Sequence, residues 1–300
     1  MTVRELWRLA KQAFGAWTDD YAPSMGAALS YYTLFSIAPL LVIVITIAGF
    51  VFGADAVRGE VFSQLAGLVG EEGARAIEQM LQSARSQEEG VTAAAISVVV
   101  LIIGATTVLN ELQNALDRIW RAPDALKPSG FRGFVRSRLL SVLLILALAF
   151  IVMVSLVASA VLAALGKWWG SWLQGWELLG HVLDLCLSFG LMTVLFAMVY
   201  KIVPRVHIRW RDVWVGAAST ALLFAVGKVL IGLYLGRSQV ASAFGAAGSV
   251  VLFMVWVYYS AQIFLIGAEF TWVYAHEYGS RRGINRSHAG PLRGDMPPRT

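Results

Sequence analysis

Six long apolar segments divide this chain, at roughly 24–53, 91–117, 139–165, 181–203, 213–235 and 246–274. Each exceeds the roughly 20 residues that a helix needs to cross about 30 Å of hydrocarbon. They lack the short alternating segments of barrel strands, so the pattern predicts six membrane-spanning helices. Residues 3–17 carry a different pattern. Val3, Leu6, Trp7, Ala10, Ala13, Phe14 and Trp17 recur at helical spacing, with Arg4, Arg8 and Lys11 on another face. This reads as an amphipathic helix, either lying on the membrane surface or packed on the bundle, and not as a cleavable leader.

Between the first two spans, residues 54–90 are acidic and again periodic. Val57, Val61, Leu65 and Leu68 fit one helix, Ile77, Leu81 and Ala84 a second, and Gly70 lies between them. A helical hairpin capping the outer face follows. The loop at 166–180 holds Trp168, Trp169, Trp172 and Trp176, which read as an interfacial aromatic belt, the alternative being a gate or a sugar-stacking platform. The expected architecture is all-α. A six-helix transmembrane domain covers 1–278 with its cap at 54–90, and a disordered basic cytoplasmic tail covers 279–300.

Composition agrees with that pattern. The 300 residues are 58% hydrophobic and 14% charged, against about 25% charged in soluble domains. Mean hydropathy is +0.66. The single cysteine, Cys186, allows neither an intrachain disulfide nor a Cys-based metal site.

Net charge is +5, and its distribution decides its meaning. Arg4, Arg8 and Lys11, the run from Arg118 to Arg138, Lys201, Arg205, Arg209, Arg211 and the arginines from Arg281 onward all fall on one side of a six-span topology. Only Arg58, Arg75, Arg85, Lys167 and Arg237 fall on the other, with Lys228 inside a span. The positive-inside rule then places both termini in the cytoplasm. The basic charge is a topology signal, and no nucleic-acid partner is expected.

Polar residues inside the spans are the candidate site. Such groups are costly in hydrocarbon, face the bundle interior or water, and seek partners. Lys228 and Asp184 fall in the outer halves of adjacent spans, with His181 one turn from Asp184, so an ion pair is expected. The alternatives are a purely structural pair and a lysine reaching to the interface. Near the inner ends, Asn110, Glu111 and Asn114, with Asp117, are expected to meet Glu269 and Gln262 of the sixth span and Lys201 and Arg205 of the fourth. The alternative is that these groups only fix helix register. Pro39 should bend the first span. "GAALSYY" (26–32) and "SAFGAAGS" (242–249) supply small residues for close helix contact, within the chain or in a homo-oligomer. No Walker loop, GxSxG, HExxH or metal-ligand set is present, so neither an enzyme nor a cofactor is expected.

Four stretches taken together resemble one family. "AALSYYTLFSIAPLL", "LNELQNALDRIW", "YKIVPRVHIRWRDVWVGA" and "FGAAGSVVLFMVWVYYSAQIFLIGAEFT" are similar in order and spacing to the YihY/BrkB family of bacterial inner-membrane proteins. The resemblance covers about residues 10–278, and it departs in placing Arg205 after the proline where Asn is usual. It implies a six-helix protein of the bacterial inner membrane. Members have also been labelled ribonuclease BN, a label that no carboxylate cluster, metal-ligand set or basic groove supports here. One branch is associated with export of a lipopolysaccharide precursor. The expected function is translocation of a lipid or amphiphilic solute. The alternative is an envelope scaffold that binds a protein partner through the 54–90 cap.

Overall fold

The structure is a computed structural model of the chain, and it describes residues 2–36, 62, 74–75, 78–79, 104, 107–123, 176–237 and 248–282. Isolated positions such as 62, 74–75 and 78–79 are helical, no strand occurs among the described residues, and most of these residues fall in six helices. They are α1 (Val3–Asp19), α2 (described over 22–36), α3 (described over 107–119), α4 (Trp176–Ile202), α5 (Trp210–Arg237) and α6 (Gly248–Glu277). The expected hairpin at 54–90, the third span, Pro39, the 166–180 loop and the tail beyond 282 lie outside, or almost wholly outside, the described residues.

The helices α4, α5 and α6 are long and apolar enough to cross a membrane, over Leu185–Ile202, Trp210–Tyr234 and Val250–Glu277. At 1.5 Å per residue they measure about 40–45 Å. Their surfaces are apolar as well. On α5, Leu222, Val226, Val229, Leu230 and Leu233 are all exposed. A soluble bundle would not show such a face to water, whereas a membrane span would carry one.

Close approach of backbones holds α5 to α6. A side chain on Gly216 of α5 would collide with Thr271 of α6, and one on Gly267 of α6 would collide with Thr220 of α5. The arrangement is reciprocal, with glycine and threonine four residues apart on each helix. Each threonine hydroxyl donates back to its own helix, Thr220 to the Gly216 carbonyl at 2.8 Å and Thr271 to the Gly267 carbonyl at 2.7 Å. Both threonine hydroxyls of the seam are therefore satisfied within their own helices. The Tyr200 hydroxyl of α4 reaches the same point. It donates to the Phe264 carbonyl at 2.7 Å and lies 3.0 Å from the Thr220 hydroxyl. Phe196 of α4 packs edge-on to Phe224 of α5 at 5.7 Å and against Phe264 of α6 at 6.2 Å, closing the three-helix core.

α2 also packs on α6 through small residues. The Gln262 side chain lies where a side chain on Gly26 would sit, and Ser30 donates to the Met254 carbonyl at 2.8 Å. The "GAALSYY" stretch therefore serves contact within the chain.

α1 begins in a capping box. The Thr2 N–H donates to Glu5 at 2.7 Å, and the Glu5 N–H donates to the Thr2 hydroxyl at 3.4 Å. That backbone hydrogen bond holds the Glu5 carboxyl below its ordinary range. A depressed carboxyl contributes stability that is present above its unfolded value and lost as pH falls through its folded one. Hydrogen-exchange protection of the Glu5 and Leu6 amides should therefore fall at acid pH. In Glu5→Gln that pH dependence should disappear.

α1 packs on the bundle through one face, as one of its two sequence readings expected, and leaves the opposite face exposed. Leu9 and Ala13 are buried in the bundle core, whereas Trp7 and Phe14 are 74% and 56% exposed.

Candidate functional site

Among the described residues, basic groups from segments that the sequence assigned to one side meet at one end of the bundle. Arg8 of α1 pairs with Glu277 of α6 at 2.8 Å and donates to the Tyr278 hydroxyl at 2.9 Å. Arg118, near the end of α3, lies 3.8 Å from Asp20, the C-cap of α1. Arg281 donates to the His207 carbonyl in the α4–α5 connector at 3.1 Å. Burial pulls the Arg281 guanidinium below its usual range, and the Asp212 carboxylate opposes that effect. Asp212, buried at the start of α5, accepts from the Ser280 backbone N–H at 3.1 Å and from its hydroxyl. Cations also sit over rings at this end. Arg121 lies 4.5 Å from the Trp272 ring centre, Arg281 5.3 Å from Trp120 and Arg118 5.3 Å from Tyr21.

A buried network ties α3 to the connector after α4. Pro204 cannot continue α4, so the chain turns there and presents Arg205 to α3. The Arg205 guanidinium pairs with Asp117 at 2.8 Å and donates to the Gln113 side-chain oxygen at 3.0 Å. The Arg205 backbone N–H donates to Asp117 at 2.8 Å, and Gln113 donates to the Val203 carbonyl at 2.9 Å. Lys201 donates to the Ile208 carbonyl across the same turn.

Glu269 stands apart from these pairs. It is 0% exposed within the α6 span, its oxygens accept from no N–H or hydroxyl donor, and the side chain within hydrogen-bonding reach of it is another carboxyl, that of Asp20. The charges acting on it are Asp20 and Asp19 from the end of α1 and Arg121 from the end of α3. Two turns away on the same helix, both polar atoms of the Gln262 amide also lack partners. The indole N–H groups of Trp17 and Trp120 and the Gln12 side-chain oxygen are likewise buried and unpartnered. Tyr21, next to Asp20, has φ 57°, and Arg121 has φ 51°. Left-handed backbone in side-chain-bearing residues costs of order 1–2 kcal/mol and clusters at functional sites.

The sequence-selected residues therefore separate. Gln262 and Glu269 share one face of α6, and Lys201 and Arg205 join the connector network. Asn110 and Asn114 are exposed and Glu111 is half-buried. The inward face of α3 is instead the one with Gln113 and Asp117, one turn apart. Lys228 is half-buried on α5. Asp184 falls on α4, but its pairing with Lys228 lies outside the described residues. Sequence reasoning missed Asp20 and Arg121, because only folding brings the end of α1 and the end of α3 to Glu269. Among the described residues no group of His, Cys, Asp and Glu is arranged to hold a metal ion.

Comparison with known proteins gives relatives but no solved structure that matches. A protein named UPF0761 membrane protein in Pseudomonas aeruginosa (strain LESB58) is 29% identical over 255 residues, covering 83% of this chain and 58% of the relative. One of the same name in Teredinibacter turnerae is 27% identical over 285 residues, 92% of this chain and 62% of the relative. A third, from Tolumonas auensis, is 36% identical over 110 residues, 34% of this chain. The chain thus spans about three fifths of the length of the first of these relatives. A family model described as "Virulence factor BrkB" matches residues 13–290. With that match, its apolar spans and its membrane-protein relatives, the chain belongs to the BrkB family of integral membrane proteins.

Proposed function

We propose that this protein translocates a lipid or amphiphilic solute across the bacterial inner membrane, with both termini in the cytoplasm. The observation that carries the reading is Glu269. An ionisable side chain at the centre of a span costs roughly 2.5–3.5 kcal/mol on insertion scales, less toward the end where Glu269 lies, and such groups are kept where they serve a pathway. A carboxylate that served only to fix helix register would be hydrogen-bonded, as Asp117 and Asp212 are. Glu269 is buried with no N–H or hydroxyl donor on its oxygens and with the Asp20 carboxyl as its polar neighbour, and two turns along α6 Gln262 also lacks partners. The basic end at which the chain's arginines gather is the cytoplasmic end in this reading.

Reconstitution tests the function. Purified protein in vesicles should move a fluorescent phospholipid analogue between leaflets faster than protein-free vesicles do. Glu269→Gln should fold and lose about tenfold or more of that rate. Failure to move any of a panel of phospholipid and lipid-linked analogues would sink the proposal. The orientation is tested separately with reporters at residue 70 and at the C-terminus. The first should report an extracytoplasmic site and the second a cytoplasmic one.

A further inference from the structure

Wound at 3.6 residues per turn, α1 carries three stripes. Leu9 and Ala13 turn into the bundle core. Leu6, Trp7, Ala10 and Phe14 turn outward and are exposed. Arg4 and Lys11, two turns apart and also exposed, run beside that apolar stripe. Arg8 is committed to Glu277 and Tyr278, whereas among the described residues no ion pair engages Arg4 or Lys11.

The place of α1 along the bundle says what covers its outward face. Arg8 meets Glu277, the last residue of the α6 span. Gly26, on the next helix, lies against Gln262, about 22 Å back along α6 at 1.5 Å per residue. The chain therefore descends along α6, and α1 lies where α6 leaves the hydrocarbon, with its start as the shallow end. The cations fall at that end. Lys11 is the last basic residue of α1, and Phe14 follows it. The same level is marked on α5, whose first two turns expose Trp210 and Trp214 beside the exposed Arg209 and Arg211. Aromatic rings of spanning helices gather at the headgroups. A helix at that level with an apolar face and a cationic edge lies in the plane of the headgroup layer.

We propose that the outward face of α1 is a binding surface for acidic phospholipid. Leu6, Trp7, Ala10 and Phe14 rest against acyl chains, and Arg4 and Lys11 meet headgroup phosphates. Two cations at the surface favour an anionic lipid over a zwitterionic one, and salt screens that preference. The surface does not depend on the transport reading.

A fluorophore on Ala10→Cys tests it, in a Cys186→Ser background that leaves one thiol in the chain. The full chain is reconstituted in phosphatidylcholine vesicles containing a small fraction of lipid spin-labelled on its acyl chain. Spin-labelled phosphatidylglycerol should quench the fluorophore at about a tenfold lower mole fraction than spin-labelled phosphatidylcholine. In Arg4→Gln combined with Lys11→Gln the two lipids should quench alike, and salt at about 1 M should have the same effect on the unsubstituted face. The salt arm decides should the double substitution fail to fold. A fluorophore on Leu222→Cys, on the exposed apolar face of α5, should show no preference between the lipids. Equal quenching at Ala10→Cys by both lipids at low salt overturns the proposal. So does a preference that survives the double substitution or high salt, or one that Leu222→Cys shares. Absence of quenching by either lipid also overturns it, and disulfide-linked dimers of Ala10→Cys would then assign the face to a second copy of the chain.

Discussion

Gly267→Leu should abolish the folded protein, or lower its stability by at least about 3 kcal/mol. The cause is the seam between α5 and α6. A Cβ at Gly267 meets the Thr220 side chain and lies 2.7 Å from the Tyr200 hydroxyl, and neither can retreat. Thr220 is held by its bond to the Gly216 carbonyl, and Tyr200 by its bond to the Phe264 carbonyl. Adding methylenes to a close-packed site commonly costs 1–3 kcal/mol when the surroundings relax, and more when backbone must move. Gly216→Leu should behave alike, because its Cβ would lie 2.6 Å from the Thr271 Cβ. The milder Gly267→Ala should be partly rescued by Thr220→Ala, a coupling that a general loss of helix stability would not produce. Gly190 and Gly232 are the internal control. Nothing lies within 4 Å of a Cβ at either position. Alanine there should be neutral or stabilising, by up to about 1 kcal/mol from helix propensity. Thermal unfolding monitored by the loss of monodisperse protein in detergent would rank all of these variants.

The seam was open to reading in the sequence, but its pattern competes with many others. "GAAST" (216–220) and "GAEFT" (267–271) repeat glycine and threonine at the same spacing on two spans. Spacing alone does not say that the two segments face each other in opposite directions. Apolar length was the stronger signal, and it located α4, α5 and α6 because hydrocarbon thickness leaves little freedom in span length. The sorting of basic residues was equally legible, since Arg8, Arg118, Arg121, Arg205 and Arg281 do converge at one end. Faces were harder. Asn110, Asn114 and Asp117 lie within one helical arc, but a buried arc of α3 centred on Gln113 and Asp117 leaves Asn110 and Asn114 exposed. A span apolar on all sides has no amphipathic moment to fix its rotation, so helix neighbours decide it. The same limit applies to Glu269. Its place in a span marked it as a candidate, while Asp20 sits over 240 positions away and became a neighbour only through the docking of α1.

Asp117→Leu or Arg205→Met alone should each cost about 3–5 kcal/mol, the usual range when one partner of a buried pair is stranded. Asp117 is 7% exposed and Arg205 16%, so solvent screens the survivor little. The double variant should recover a large part of that loss, because neither charge then remains. Recovery should stop short of the wild type for two reasons. The Arg205 backbone N–H loses its acceptor on Asp117 in the double variant, and Gln113 loses the guanidinium that its oxygen accepts from. Asp117→Asn separates these contributions. It keeps an acceptor for the backbone N–H and removes only the charge, so its cost should fall between the wild type and Asp117→Leu. A double-mutant cycle on thermal stability measures the coupling. Strictly additive single effects would mean that Arg205 and Asp117 are adjacent without depending on each other. The α3–α4 tie would then rest on the Gln113 bond to the Val203 carbonyl, and Gln113→Leu would become the more damaging substitution.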